Sequence, residues 1–185
     1  CLDLLEVPAK AHARYDAETR SYLYFIHHRK IPQLDEFSSM VYDPLVNLKN
    51  ILKAVELLTE TSDFLPFCKT PNVYDNTLCK IESIKMFANQ YDDQFCIEFT
   101  ANRFLRGMIR NIMSRLISLG QNKLDFETFK KIVLQEKKEV LPFPASPNGL
   151  HLSKITYPFI DMEPASDPKR LVLYRTEDCW KELTR

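Results

Sequence analysis

Three arginines and a glycine mark the segment of this chain best equipped for chemistry. From Thr100 to Gly120 the sequence reads T-A-N-R-F-L-R-G-M-I-R-N-I-M-S-R-L-I-S-L-G. Read as one helix at about 100° per residue, it gathers Phe104, Leu105, Met108, Ile109, Ile112 and Leu116 on one apolar arc, with Met113 and Ile117 trailing from its edge. Arg103, Arg106 and Arg110 then fall on the opposite side, flanked by Gly107 and Ser114. A glycine inside a helix costs about 1 kcal/mol relative to alanine, so Gly107 predicts a close approach by another group. Guanidiniums beside such a notch suit a phosphate, a carboxylate or a nucleic acid. A core helix with a solvated basic side accounts for the same pattern.

Of the three arginines, Arg110 is the most informative. A half-buried arginine needs an anionic partner, because an unpaired charge is costly to desolvate. The spacing of the carboxylates offers it none, which points to a partner outside the chain. Tyr22 and Tyr24 lie two residues apart on one strand face, after Arg20. They are either core aromatics or a stacking platform for a flipped or single-stranded base. Phe64 and Phe67 present the same choice and read as packed. Asp16, Asp63 and Glu98 stand isolated, and no paired carboxylates, Ser-His-Asp order or Cys-His pairing can be argued from spacing.

Composition narrows the classes further. The chain has 185 residues, 45% hydrophobic and 11% aromatic, enough for one domain with a real core and at most a small appendage. Net charge is zero, so any nucleic-acid contact must come from a local patch. With 3 glycines and no GxGxxG or GxxxxGK[ST] order, Gly-rich nucleotide-cradling loops are excluded. The 5 cysteines (Cys1, Cys68, Cys79, Cys96 and Cys179) contain no C-x-x-C, and His12, His27, His28 and His151 add no ligand spacing. That predicts no metal and reduced, mostly buried thiols. No apolar run approaches the roughly 18 residues of a membrane span, and no signal peptide is present. The expectation is a soluble cytoplasmic protein. The opening on Cys1 rather than Met reads as a piece of a longer polypeptide.

The elements that must position these residues follow from periodicity. Leu2 to Val7 alternates weakly as a strand, and Arg20 to His28 does so strongly. Tyr22, Tyr24 and Ile26 share one face of the second, Leu23 and Phe25 the other. A helix is predicted from Asp43-Pro44, with aspartate as N-cap and proline at the first turn, continuing through Leu48, Ile51, Leu52, Val55 and Leu58. An irregular aromatic loop covers Asp63 to Phe67. Leu78 to Phe87 and Gln94 to Thr100 read as antiparallel strands around a turn at Asn89 to Asp93. The long helix follows, closed by Gly120. A short helix runs from Asp125 to Gln135, with Phe126, Phe129, Ile132 and Val133 on one face. Pro142, Pro144 and Pro147 mark a loop, and Leu150 to Tyr157 forms a strand. A further strand is expected at Leu171 to Tyr174, with a terminal turn around Trp180. Hairpin-connected strands interleaved with helices predict an α+β fold: an antiparallel or mixed sheet with helices packed on one face.

Four segments, taken in order, resemble the C-terminal half of the tRNA pseudouridine synthase A (TruA-type) catalytic domain. His12-Ala13-Arg14-Tyr15-Asp16-Ala17, continuing through Arg20 and Tyr22 to Tyr24, is similar to the family's H-A-R-F-x-A-x-x-R-x-Y-x-Y. Asp63-Phe64-x-x-Phe67 is similar to D-F-x-x-F. Ala101-Asn102-x-Phe104-Leu105-x-x-Met108-Ile109-Arg110-Asn111-Ile112 is similar to A-N-x-F-L-x-x-M-V-R-N-I. Gly149-Leu150-x-Leu152 with Tyr157 is similar to G-L-x-L-x-x-V-x-Y.

The resemblance implies conversion of uridine to pseudouridine in the tRNA anticodon arm, with no cofactor, by a homodimer that cradles tRNA. It implies that an aspartate of a G-R-T-D motif in the N-terminal half attacks a flipped-out uridine. Tyr22 corresponds to the tyrosine packed on that base, and Arg110 to the arginine that salt-bridges the nucleophile and lowers its pKa. Phe104 and Leu105 correspond to the apolar pocket wall. Arg103 and Arg106 have no fixed family identity and are RNA-binding candidates only. No G-R-T-D order occurs here; Arg175-Thr176-Glu177-Asp178 is a poor imitation in the tail. Residues 1–158 are therefore expected to form the C-terminal half of the domain and 159–185 a tail, inactive without the other half. A non-catalytic RNA-binding module of the same fold, or a purely structural domain, are the alternatives.

Overall fold

A computed structural model describes residues 5–137, 143–160 and 180–184. Its organising strand is β1, Thr19–His27. Along one edge β1 pairs antiparallel with β4, Gln94–Ala101, placing Tyr22 opposite Phe99 and Tyr24 opposite Ile97. Two short strands share its other edge. These are β5, Leu150–Thr156, antiparallel, and β2, Ser39–Met40, parallel. Beyond β4 lie β3, Ile81–Ala88, and β6, Lys181–Leu183, both antiparallel to their neighbours. The strand order is β2-β1-β4-β3-β6, with β5 beside β1. The one parallel pair makes the sheet mixed.

Period-two alternation then sorts the side chains. Tyr24 and Ile26 enter the main core with Ile84, Met86, Ile97 and Phe99, and Tyr22 packs against it. Leu23 and Phe25 point the other way, into a smaller cluster with Leu34, Phe87 and Cys96. The expected division of β1 is the observed one. Helices α1 (Leu48–Glu60), α2 (Met108–Gly120) and α3 (Phe126–Val133) contribute Ile51, Leu58, Ile112, Leu116 and Phe129 to the main cluster. Each such buried side chain contributes about 1.5–3 kcal/mol over its exposed state.

Four expectations need correction. The first concerns α1, which starts at Leu48 and not at Asp43-Pro44. Asn47 is its N-cap, accepting from the Asn50 amide at 3.1 Å. Tertiary docking moves the start, because the Asn47 amide donates to the Gly120 carbonyl at 2.9 Å and Leu45 is buried ahead of the helix. Asp43 is left as a surface partner of Lys123 at 2.7 Å.

The second correction concerns the basic helix, which does not begin at Ala101. Residues 102–107 form a loop, and Gly107 sits at φ 77° as the N-terminal boundary of α2. Arg106 cannot be helical, because its amide donates to Tyr74 Oη at 2.9 Å and its carbonyl accepts from the Lys69 amide at 2.9 Å. Arg103, Arg106 and Arg110 therefore share no helix face.

The remaining two lie at the ends of the chain. The N-terminal strand is not formed over residues 5–7, and Leu2 to Leu4 lie outside the described residues. Around Trp180 the chain is not a turn but leads into strand β6, with Leu183 opposite Met86 and the Trp180 ring 6.0 Å from Phe25. The strand expected at Leu171 to Tyr174 lies outside the described residues, as do Cys1, Pro142, Cys179 and the Arg175–Asp178 run.

The end of β1 carries a buried polar device. His27 is fully buried, its Nδ1 2.9 Å from Ser38 Oγ and its Nε2 3.7 Å from Asp35 Oδ1. Burial pushes the imidazole pKa below its ordinary 6.5; the Asp35 carboxylate offsets this in part, and His28 adds to the lowering. Between the depressed folded value and 6.5 the unfolded chain binds more protons, so stability rises with pH across that window. His27 should thus cost no stability above about pH 6.5 and destabilise the fold as pH falls below it. The melting temperature of wild type should drop more steeply below pH 6.5 than that of His27→Asn; parallel curves would refute the assignment.

Candidate active site

Where β1 meets the loop after β4, an open cleft of about 720 Å³ is lined by Arg14, Arg20, Tyr22, Tyr74, Arg103 and Phe104, among others. Strand alternation places Tyr22 on the helix side, and Phe104 meets it edge-on at 5.3 Å and 87°. Such a T-shaped contact is a favoured aromatic geometry. It leaves Tyr22 half-buried rather than sealed in the core. The β1–β5 register slips between Ser21 and Tyr22, with Ser153 as the extra residue. Ser153 Oγ donates to the Ser21 carbonyl at 3.0 Å and so satisfies the disrupted ladder. Bulges of this kind re-aim a neighbouring side chain.

Arg20 ties the cleft together. Its Nη1 donates to the carbonyls of Ala17 at 2.6 Å and Asn102 at 2.7 Å, and its Nη2 donates to Arg14 O. One guanidinium thus joins the segment before β1 to the loop that carries Phe104. The His12–Asp16 stretch is a self-capped turn: Asp16 Oδ2 accepts from the His12 amide at 2.8 Å, and His12 Nδ1 accepts from the Arg14 amide at 3.1 Å. Its residues serve backbone hydrogen bonds, not proton transfer. Spacing alone did not single out Arg20; its signal was a charged residue at the entrance of an apolar strand, which demands partners.

The other candidates separate. Arg103 lies over the Tyr74 ring, its Cζ 5.5 Å from the centroid, and borders the cleft. Arg106 is exposed and lies outside the cleft lining. Leu105 is 4% exposed in the main core and does not line the cleft either.

Arg110 occupies the first turn of α2, half-buried, with Nε donating to the Ala145 carbonyl at 2.6 Å. The Ala145 amide returns a bond to the Arg110 carbonyl at 3.1 Å. With Nε occupied, both Nη groups remain to grip an anion. Among the described residues Arg110 forms no ion pair with a carboxylate.

Other reactive types are accounted for structurally. Burial would raise the Asp63 carboxyl, but Thr77 Oγ1 at 2.5 Å, Gln135 Nε2 at 2.8 Å and the Leu65 amide at 3.0 Å outweigh it and hold the pKa low. Asp63 thus pins the turn that buries Phe64 and Phe67, the latter 6.4 Å from Phe129. Burial pushes the Cys79 thiol up to about 11 despite the Arg103 charge, so it is no thiolate nucleophile. Among the described residues Cys68, Cys79 and Cys96 are buried and form no disulfide. Among the described residues no group of three or more His, Cys, Asp or Glu could hold a metal, and no helix is long and apolar enough to cross a membrane.

The sequence that builds this α+β sheet matches a known family. Residues 54–158 match the sequence profile described as tRNA pseudouridine synthase, and the chain belongs to that family. A tRNA pseudouridine synthase A of Azobacteroides pseudotrichonymphae is 35% identical over 155 residues, 84% of this chain and 61% of the relative. Those of Bacteroides fragilis and Chlorobium phaeobacteroides are 32% and 33% identical, over 82% and 84% of this chain. The chain spans about 60% of the length of these curated relatives.

The placement of Arg110 depends on the left-handed Gly107. An alanine there would meet Lys69 Cβ at 3.1 Å and take up a positive φ. Gly107→Ala should lower stability by about 1–2 kcal/mol, read from the denaturant midpoint. A mid-helix glycine would instead gain stability on the same change.

Proposed function

We propose that the protein to which this chain belongs isomerises uridine to pseudouridine in the anticodon arm of tRNA, without a cofactor. The observation that carries the reading is Arg110: half-buried, aimed through Nε by Ala145, and without a carboxylate partner among the described residues. A guanidinium so placed would lower the pKa of an approaching aspartate and hold it ionised and oriented for attack. That nucleophile is supplied from outside these 185 residues, whose sequence contains no G-R-T-D order.

Tyr22, with Phe104 at its edge, suits a base taken out of its stack, because any base offers a π-face to an aromatic ring. Leu105 supports that wall from the core. Arg103, at the cleft, is suited to a backbone phosphate and Arg106 to a more peripheral one; such contacts position RNA without reading its sequence. On this reading residues 1–158 form the C-terminal half of the catalytic domain and 159–185 a tail. The protein acts in the cytoplasm as a homodimer around tRNA.

Three measurements test the proposal. Arg110→Ala in the intact protein should reduce kcat by at least about a hundredfold while tRNA still binds, since an interaction realised at the reacting atoms is lost. Equal losses in binding and rate would make Arg110 a phosphate contact instead. Tyr22→Ala should impair the chemical step more than affinity. The isolated 185 residues should form no pseudouridine on a tRNA transcript, and turnover by them would overturn the external nucleophile.

A further inference from the structure

Three of the motif segments meet at one point that their sequence positions do not reveal. Residues 143–149 lie across the start of α2 and the middle of β1, held at four places. Ser114 Oγ donates to the Phe143 carbonyl at 2.9 Å, and Arg110 and Ala145 exchange two bonds, at 2.6 and 3.1 Å. Tyr24 Oη donates to the Ser146 carbonyl at 2.7 Å, and Asn148 Nδ2 to the Asp35 carbonyl at 2.7 Å. Consecutive carbonyls, Ala145 and Ser146, thus receive Arg110 and Tyr24. Tyr24 is fully buried in the central strand, with the loop packed on its ring, so its hydroxyl is held in one place.

Gly149 explains how the loop reaches the ring. A Cβ there would lie 2.6 Å from the Phe25 carbonyl and 2.9 Å from Cε1 and Cζ of Tyr24. Only glycine lets the backbone come this close. Burial also raises the Tyr24 phenol pKa, with the nearby Ser39 hydroxyl and the Arg110 charge pulling it part-way back. The group therefore stays a protonated donor at neutral pH.

We infer that Tyr24 is a positioning residue for Arg110, acting through the Ser146 and Ala145 carbonyls. The inference rests on the proposed role of Arg110. A flexible arginine side chain loses orientational freedom only if its Nε acceptor is itself rigid, and the acceptor here is a loop carbonyl. Tyr24, seated on the central strand, supplies the rigidity, and Gly149 permits the contact. Tyr22 and Tyr24 thus divide the Y-x-Y pair. The first faces the cleft, and the second, about 7 Å further along the strand, aims the arginine.

Tyr24→Phe in the intact protein keeps the ring and removes only the donor. We expect kcat on tRNA to fall about ten- to hundredfold, as misplacing a catalytic group by about 1 Å does, with KM changed by less than about threefold. The Arg110 Nε–H resonance, shielded by Ala145 in the wild type, should exchange faster with solvent in the variant; this reads the clamp without turnover. Gly149→Ala should produce both effects by lifting the loop. Ile84→Val, a remote core truncation on β3, should lower the melting temperature and leave kcat unchanged. Tyr24→Phe with kcat within about twofold of wild type, or with unchanged Nε–H exchange, overturns the inference. Active Arg110→Ala would sink the underlying proposal, whereas inactive Arg110→Ala beside normal Tyr24→Phe sinks only the positioning role.

Discussion

Strand β1 is the constraint on which the rest of the molecule depends. It is the strand paired along nearly its whole length on both edges, with β4 on one side and β5 and β2 on the other. It is also covered on both faces, by the helix-side core and by the cluster around Phe25. A strand held in four directions has no freedom to slip, because a one-residue shift would exchange its two faces. Every residue that borders the cleft or aims Arg110 is referred to this fixed ladder. Arg20 grips from one end, Tyr22 and Tyr24 from its helix side, and His27 from the other end.

Function on such a platform needs a controlled interruption of regular structure, and the interruptions here are local. At Ser21 and Tyr22 the β5 ladder gains one residue. At Gly107 the backbone enters the left-handed region for a single residue, which separates the loop bearing Phe104 from the helix bearing Arg110. Both sit beside the cleft or the arginine; Ser153 Oγ satisfies the Ser21 carbonyl at the first, and the Asn111 amide donates to the Gly107 carbonyl at 3.0 Å at the second. The electrostatics are similarly local. Arg14, Arg20 and Arg103 line the cleft together with Glu18, and Arg20 is consumed in holding the backbone.

Much of this was legible in the residues. Alternation in Arg20 to His28 placed Tyr22 and Tyr24 on one face, and hairpin spacing paired Leu78 to Phe87 with Gln94 to Thr100. The short helix expected over Asp125 to Gln135 forms over Phe126–Val133, and Asp125 turns out to be its N-cap, accepting from the Thr128 amide at 2.8 Å. The arginine helix was misread for a physical reason. Hydrophobic periodicity reports which side chains face the core, and Leu105 does face it, but periodicity is silent on backbone handedness. Only the distant Lys69 and Tyr74, which take the Arg106 carbonyl and amide, end the helix there. The start of α1 failed likewise, because an Asp-Pro pair is a sound local signal that docking against Gly120 overrode.

By itself, then, the sequence determined the division of β1 between two cores, the α+β class, and the identity of Arg110 as an arginine lacking a carboxylate close in the chain. Those properties depend on residue type and short-range period. The tertiary structure alone decided that Arg103, Arg106 and Arg110 part company, that Arg20 holds the cleft, and that Ala145 and Ser146 connect Tyr24 to Arg110. Each of these is a hydrogen bond or stacking contact between segments far apart in the chain. Its energy depends on distances of about 3 Å that no local pattern encodes.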